Sequence, residues 1–167
     1  MTVNAIITND CKYINLVITG TPGNASVDVS SLSGTSIYNT TVNIPPTGNL
    51  NHLIYLPSTI GSGDGVFRIN VTDSNNEESF AGVFGSCSLD CCIAKKVDVL
   101  MECGCGCLKC NESLMQAERV HLLISGIRAD LSFVGNDNVQ NIGLYNNAVA
   151  KYRKALELCS DDCGCGC

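Results

Sequence analysis

Short apolar and polar stretches alternate through the first half of the chain, and turn-forming residues separate them. Between Val66 and Val71, apolar and polar side chains mostly take opposite faces, which is typical of a half-buried strand. Clusters of Gly, Pro, Asn and Asp between the stretches indicate turns, and no helical period appears. The pattern predicts seven strands, at Val3–Thr8, Tyr13–Thr19, Ala25–Val29, Ser36–Ile44, His52–Leu56, Gly65–Thr72 and Ser79–Phe84.

In the second half, apolar residues recur at spacings of three and four, the period of an amphipathic helix. Ser88 and Asn111 are suitable N-caps for the first two helices, and Asp90 suits the positive end of the first helix dipole. Three helices are predicted, the first over about Ser88–Met101, the second from after Asn111 to Val134, and the third over about Val139–Leu158.

Each predicted helix has one apolar face. The first face consists of Leu89, Cys92, Ile93, Val97 and Leu100. The second consists of Leu114, Ala117, Val120, Leu123, Ile124, Ile127, Leu131 and Val134. The third is a narrow seam of heptad type, at Ile142, Tyr145, Val149, Tyr152, Leu156 and Cys159.

These elements predict an α+β protein of two segregated units. Residues 1–86 are expected to form an antiparallel β-sandwich, and residues 87–167 a Cys-rich, metal-clamped three-helix bundle. The Gly63–Thr72 stretch resembles the penultimate-strand region of immunoglobulin-like domains. Phe67 stands near the position where those domains often carry Tyr, and it lacks the hydroxyl of their tyrosine corner. The resemblance implies an immunoglobulin-like sandwich.

Two Cys-Gly-Cys-Gly-Cys segments, at residues 103–107 and 163–167, are the chain's most distinctive motif. Antiparallel packing of three helices would place the turn between the first two helices at the same end of the bundle as the end of the third helix. Zinc is bound well by four thiolates, and alternating Gly allows the backbone to turn sharply between them. We therefore predict structural zinc with ligands drawn from Cys103, Cys105, Cys107, Cys110, Cys159, Cys163, Cys165 and Cys167.

Other chemistry for the cysteines stays open. Cys11, Cys87, Cys91 and Cys92 could form a separate site or be buried free thiols. Twelve cysteines could also form disulfides in an oxidising compartment, and an iron–sulfur cluster is a further alternative. The chain start lacks the basic and long apolar regions of a secretory signal, which favours a reducing cytosol and hence metal.

Composition and motifs argue against several functions. A net charge of −6, with ten Lys and Arg and no Trp, disfavours nucleic-acid binding. No apolar run is long enough to span a membrane. His52 and His121 are expected to be packed or surface residues, and the Asp73–Glu78 segment a solvated turn. Since no nucleophile, base and oxyanion site are assembled in the sequence, we predict that the chain is not an enzyme.

The combination of a polar sandwich and a Cys-rich helical unit is similar to virion proteins of tailed bacteriophages. The Cys-Gly-rich tail is similar to that of small virion proteins of crAss-like phages. The resemblance implies a structural subunit of a tail, connector or head, homo-oligomeric, in a virion assembled in the host cytoplasm. The alternatives are an extracellular, disulfide-rich adhesin or binding module, and a metal-handling or thiol redox protein.

Overall fold

The computed structural model describes residues 1–56, 64–102, 108–134 and 141–160, with only the backbone described at 99–102, 108–111 and 160. Within these ranges seven strands precede three helices, so the predicted α+β class is confirmed. The strands are β1 (Thr2–Ile7), β2 (Tyr13–Thr19), β3 (Gly23–Ser30), β4 (Ser36–Ile44), β5 (Asn49–Tyr55), β6 (Gly65–Asp73) and β7 (Glu78–Gly85). The helices are α1 (Cys87–Glu102), α2 (Leu108–Ser132) and α3 (Ile142–Ser160).

The strands form two antiparallel sheets that share one hydrophobic core. One sheet has the order β1-β2-β5, and the other has the order β4-β3-β6-β7. Alternate residues of each strand face inward, so that Ile14, Leu16 and Ile18 of β2 are completely buried. Val27 and Ile69 meet them from the second sheet. The turns predicted between the strands therefore separate segments that pair in register.

The helices pack on the outer face of β6 and β7. Val66 and Phe80 point away from the inter-sheet core and join a second apolar cluster with residues of all three helices. The Tyr152 ring of α3 meets Phe84 edge-on, with ring centroids 6.0 Å apart. Gly65 has a φ of +116°, and a β-carbon there would lie 3.3 Å from the Tyr152 hydroxyl. The molecule thus has three layers, with β6 and β7 between the first core and the helices.

Helix α2 runs antiparallel to both of its neighbours. Near its start, Gln116 accepts a hydrogen bond of 2.6 Å from the ammonium of Lys96 in α1, a side chain that is only 2% exposed. Near its end, Asp130 forms an ion pair with Lys151 of α3. The start of α1 also reaches the last third of α2, where Arg128 contacts Ser86. Because the middle of α3 meets this same part of α2 through Lys151, the outer helices are offset along the bundle.

This offset corrects the simplest bundle geometry, which placed the start of α1 and the end of α3 at opposite ends. Cys92, in the second turn of α1, is bonded to Cys159 in the last turn of α3. The end of α3 therefore lies ten residues of α1, or about 15 Å, from the end of that helix. The predicted meeting of the two Cys-Gly-Cys-Gly-Cys segments concerns residues outside the described ranges and stays a prediction.

The predicted helix caps are wrong in position. Helix α1 begins at Cys87, one residue before the predicted cap, and the backbone N–H of Ser88 donates to Asp64 Oδ1 at 3.0 Å. Helix α2 begins at Leu108, so that Asn111 lies inside it. Asp64 was not predicted as a cap because it is far from the helix in sequence.

Part of each predicted apolar face is also wrong. Ile142 and Leu156 of α3 are 45% and 39% exposed, whereas Ala148 and Ala155 are completely buried. Val97 of α1 and Leu114 of α2 are exposed as well. The α3 face that packs inward consists of Tyr145, Ala148, Tyr152, Ala155 and Cys159.

Candidate functional site

A disulfide between Cys11 and Cys87 joins the sheets to the helices. Cys11 lies in the turn between β1 and β2, where its φ is +55°, and Cys87 is the first residue of α1. Their α-carbons are 6.4 Å apart, and 76 residues separate them along the chain. Closing so long a loop reduces the entropy of the unfolded chain and typically stabilises a fold by about 2–4 kcal/mol.

A second disulfide, between Cys92 and Cys159, joins the first helix to the last. Both residues are buried, at 0% and 8% exposure, within the cluster between the helices and the sheet. Their α-carbons are 6.0 Å apart, across 67 residues of sequence. Cys91, the neighbour of Cys92, is also disulfide-bonded. The start of α1 is therefore held covalently on both sides.

These bonds change the prediction for the cysteines. Cys159 was predicted as a zinc ligand, but a sulfur in a disulfide is not a thiolate, so the structure removes Cys159 from the set. Cys11, Cys87 and Cys92 are oxidised and are neither free thiols nor a separate metal site. Among the described residues, no three metal-ligating side chains are grouped. The other seven predicted ligands lie outside the described side chains: Cys103, Cys105, Cys107, Cys110, Cys163, Cys165 and Cys167.

The two histidines occupy different environments. His52 is half-buried on β5, and its Nε2 has no hydrogen-bond partner among the described residues. His121 is exposed on α2 and lines a shallow apolar groove of about 400 Å³ with Ile93, Val97 and Leu114.

Asp73 organises the turn between β6 and β7. Its Oδ1 accepts hydrogen bonds from the backbone N–H groups of Asn75 and Glu77, each at 2.9 Å. Glu77 in turn forms an ion pair with the amino group of Met1. The acidic residues of this segment thus close a hairpin and fix the chain start, although Asp73 itself is buried rather than solvated.

A cleft of about 620 Å³ lies beside the first disulfide, between β1, β7 and α2. At one end, Arg128 of α2 donates a hydrogen bond of 3.0 Å to Ser86 Oγ. Ser86 Oγ donates in turn to Asp90 Oδ2, at 2.6 Å. The opposite charges of Arg128 and Asp90 therefore compensate each other through Ser86. This hydrogen-bond network ties α2 to the start of α1. Sequence reasoning missed it, because only the four-residue spacing of Ser86 and Asp90 was visible.

Asp28 is the centre of a polar network on the outer face of β3 and β4. Burial alone would raise the pKa of its carboxyl, but hydrogen bonds from Ser36, Ser30, Asn39 and Asn70 act against it. The net pKa of Asp28 is lower than usual. This carboxyl is therefore ionised at neutral pH and holds the polar side chains of three strands together.

Two tyrosines of α3 are held in the neutral form. Burial raises the pKa of Tyr145, with Arg68 acting in the opposite direction. Burial and, after it, the charge of Asp64 raise the pKa of Tyr152. Both phenols are therefore protonated well above neutral pH and serve as packing groups with a polar tip.

Comparison with known proteins gives no relative to guide the assignment. No protein-family model matches the chain, and no curated protein matches its sequence. None of the described helices is long and apolar enough to cross a membrane.

Proposed function

We propose that the chain is a non-catalytic structural subunit of a multi-subunit assembly, and that this assembly is the virion of a tailed phage. The observation that carries the proposal is the double covalent bracing at the start of α1. Cys11–Cys87 fixes this helix to the sheets, and Cys92–Cys159 fixes it to α3. Bracing of this kind suits a building block that must keep its shape, and disulfides persist on virion surfaces.

The sheets support an immunoglobulin-like assignment within this proposal. Constant-type immunoglobulin domains pair their strands in the orders ABED and CFG. In chain order, that arrangement corresponds to 1-2-5-4 and 3-6-7, and the observed orders are 1-2-5 and 4-3-6-7. Moving one edge strand, β4, from β5 to β3 converts one arrangement into the other. Sandwiches of this type commonly serve as surface modules.

Structural zinc remains part of the proposal only for predicted cysteines whose side chains are not described. The two segments would bind it as thiolates, which requires reducing conditions during loading. Since Cys11 pairs with Cys87 and Cys92 pairs with Cys159, the compartment of folding decides between zinc and further disulfides for the remaining cysteines. Elemental analysis under reducing and oxidising purification distinguishes them: metal retained under both supports zinc, and metal absent under both contradicts it.

A second candidate is an extracellular, disulfide-braced binding module. The same two disulfides favour it, because such bonds are typical of exported proteins. In that case the sandwich would be a ligand platform and the helices its support.

Mass spectrometry of purified particles tests the leading proposal. In a phage culture that expresses the chain, density-purified particles should contain it at a constant ratio to the other structural proteins. Recovery in the medium or on cells, independent of particles, would support the binding module instead. Recovery only in the soluble fraction of lysed cells would contradict both.

A further inference from the structure

The outer face of the β1-β2-β5 sheet carries large apolar side chains in solvent. Ile6 is 71% exposed, Leu53 is 59% exposed and Tyr55 is 55% exposed. Tyr13 packs against Tyr55 on the same face, with ring centroids 5.2 Å apart. Apolar side chains grouped in this way on a sheet surface indicate a contact site.

The other sheet provides an internal comparison. The outward positions of β3 and β4 carry only polar residues: Asn24, Ser26, Asp28, Asn39, Thr41 and Asn43. These residues show that a solvent-exposed sheet face of this fold can be entirely polar. The β1-β2-β5 face differs from it although both belong to the same core, so its apolar residues are not required by the fold.

The β1-β2-β5 face is also free of charge. Its outward positions are Thr2, Asn4, Ile6, Tyr13, Asn15, Val17, Thr19, Asn49, Asn51, Leu53 and Tyr55. None of them is ionisable near neutral pH, although the chain has 16 acidic and 10 basic residues. Asp10 and Lys12 stand outside the face, in the turn between β1 and β2.

The absence of charge favours a second copy of the chain over a charged partner. A chain of net charge −6 repels its own copies unless they meet over a neutral surface. A positively charged partner would instead be recognised by carboxylates, and this face offers none. The surface is therefore suited to a second copy of the same chain.

Strand register places Asn15 at the centre of the face. Ile6 of β1 and Leu53 of β5 lie directly beside it on the two neighbouring strands. A twofold axis lying between two facing sheets and passing through Asn15 would bring this residue opposite its own counterpart. A carboxamide both donates and accepts, so two facing amides satisfy each other. Ile6 and Leu53 then face apolar residues, whether the axis runs along β2 or across it.

We propose that two copies of the chain pack their β1-β2-β5 faces together about a twofold axis at Asn15. This proposal rests on the proposed function and names the contact surface that the assembly would use. Three strands of about seven residues cover roughly 14 by 23 Å, which is small for a stable dimer. The contact is therefore weak in isolation and adds to other contacts in an assembly of many copies.

Sedimentation equilibrium of the full oxidised chain, at concentrations up to about 1 mM, tests the contact. The native chain should self-associate reversibly, with a Kd of about 0.1–1 mM. Asn15→Asp and Asn15→Lys should each raise this Kd at least tenfold, because like charges would then face each other. An equimolar mixture of the two variants should associate at least as tightly as the native chain. Thr41→Asp and Thr41→Lys, on the exposed face of β4, are the matched controls and should change little alone or mixed.

The outcomes distinguish failure of the proposed contact from failure of the proposed function. A native chain that stays monomeric at about 1 mM would overturn the proposed contact. So would unchanged association of the Asn15 variants, or a mixture that does not recover. If an Asn15 variant fails to fold, Asn51→Asp replaces it and should also weaken association. Any of these failures, with the chain still present in purified particles, would leave the structural-subunit proposal standing.

Discussion

Gly82 of β7 and Leu131 of α2 are in closer contact than any side chain at position 82 would allow. A β-carbon built on Gly82 lies 2.6 Å from Leu131 Cδ2 and 3.2 Å from Tyr145 Cδ2. The absence of a side chain at this one strand position lets α2 and α3 approach the sheet. The second apolar cluster depends on that approach.

Gly82→Ala should therefore destabilise the protein, because the added methyl group displaces the helices from the sheet. We expect a loss of about 1–3 kcal/mol in the free energy of unfolding, measured by urea denaturation. Gly126→Ala is the matched control, since a β-carbon there meets only the flexible Lys151 side chain. In the interior of α2 it should be neutral or stabilise by up to about 1 kcal/mol. Equal effects of the two substitutions would contradict the close packing at Gly82.

Asp64→Ala should weaken the start of α1. The carboxylate accepts the N–H of Ser88, and the loss of such a cap costs about 0.5–2 kcal/mol. Asp64→Asn keeps an acceptor oxygen and should retain much of that stability. Thermal unfolding followed by circular dichroism compares the two variants. If both behave like the native chain, Asp64 does not act as the cap.

The double substitution Cys92→Ala with Cys159→Ala removes the inter-helix disulfide without leaving a free thiol. We expect the free energy of unfolding to fall by about 2–4 kcal/mol, with the loss appearing first in the helical signal. The native chain treated with a mild reductant is the comparison. A double variant as stable as the oxidised native chain would show that this bond does not hold α3.

Asp28 should contribute an acid-dependent share of stability. Its pKa is lower in the folded protein than the usual 3.8, so its contribution is present above that value and is lost as pH falls through the folded pKa. Asp28→Asn should therefore be less stable than the native chain at pH 7, and the difference should shrink at a pH well below the usual pKa of 3.8. Urea denaturation at both pH values measures it. A difference that is constant across this range would exclude a role for ionisation.

The strands could be predicted almost completely from sequence. Each predicted strand corresponds to an observed one, and Tyr13–Thr19 and Ser36–Ile44 have the predicted bounds. Strand signals are local, because alternation and turn residues lie within the strand and its flanks. The pairing order was not predicted, since β4 beside β3 and β5 beside β2 is a long-range choice.

The helical packing could be predicted only in part. The predicted apolar face of α3 included the large residues Ile142 and Leu156, which are exposed. The residues that pack inward include Ala148 and Ala155 instead. Small residues carry a weak hydrophobic signal, but they allow close approach to a flat surface. The disulfide partners could not be predicted either, because the offset between α1 and α3 brings Cys92 beside Cys159 and depends on long-range packing.

The central claim is that disulfides at Cys11–Cys87 and Cys92–Cys159 brace the start of α1, and peptide mapping without reduction tests it most directly. After free thiols are blocked, trypsin with an Asp-specific protease cuts between Cys87 and Cys91, and between Cys159 and Cys163. The account predicts that the peptide Asp90–Lys95, which also carries the disulfide-bonded Cys91, contains a link to Ala155–Ser160, and that Asp10–Lys12 is linked to the peptide ending at Leu89. Recovery of Cys11, Cys87, Cys92 and Cys159 as blocked free thiols would contradict it.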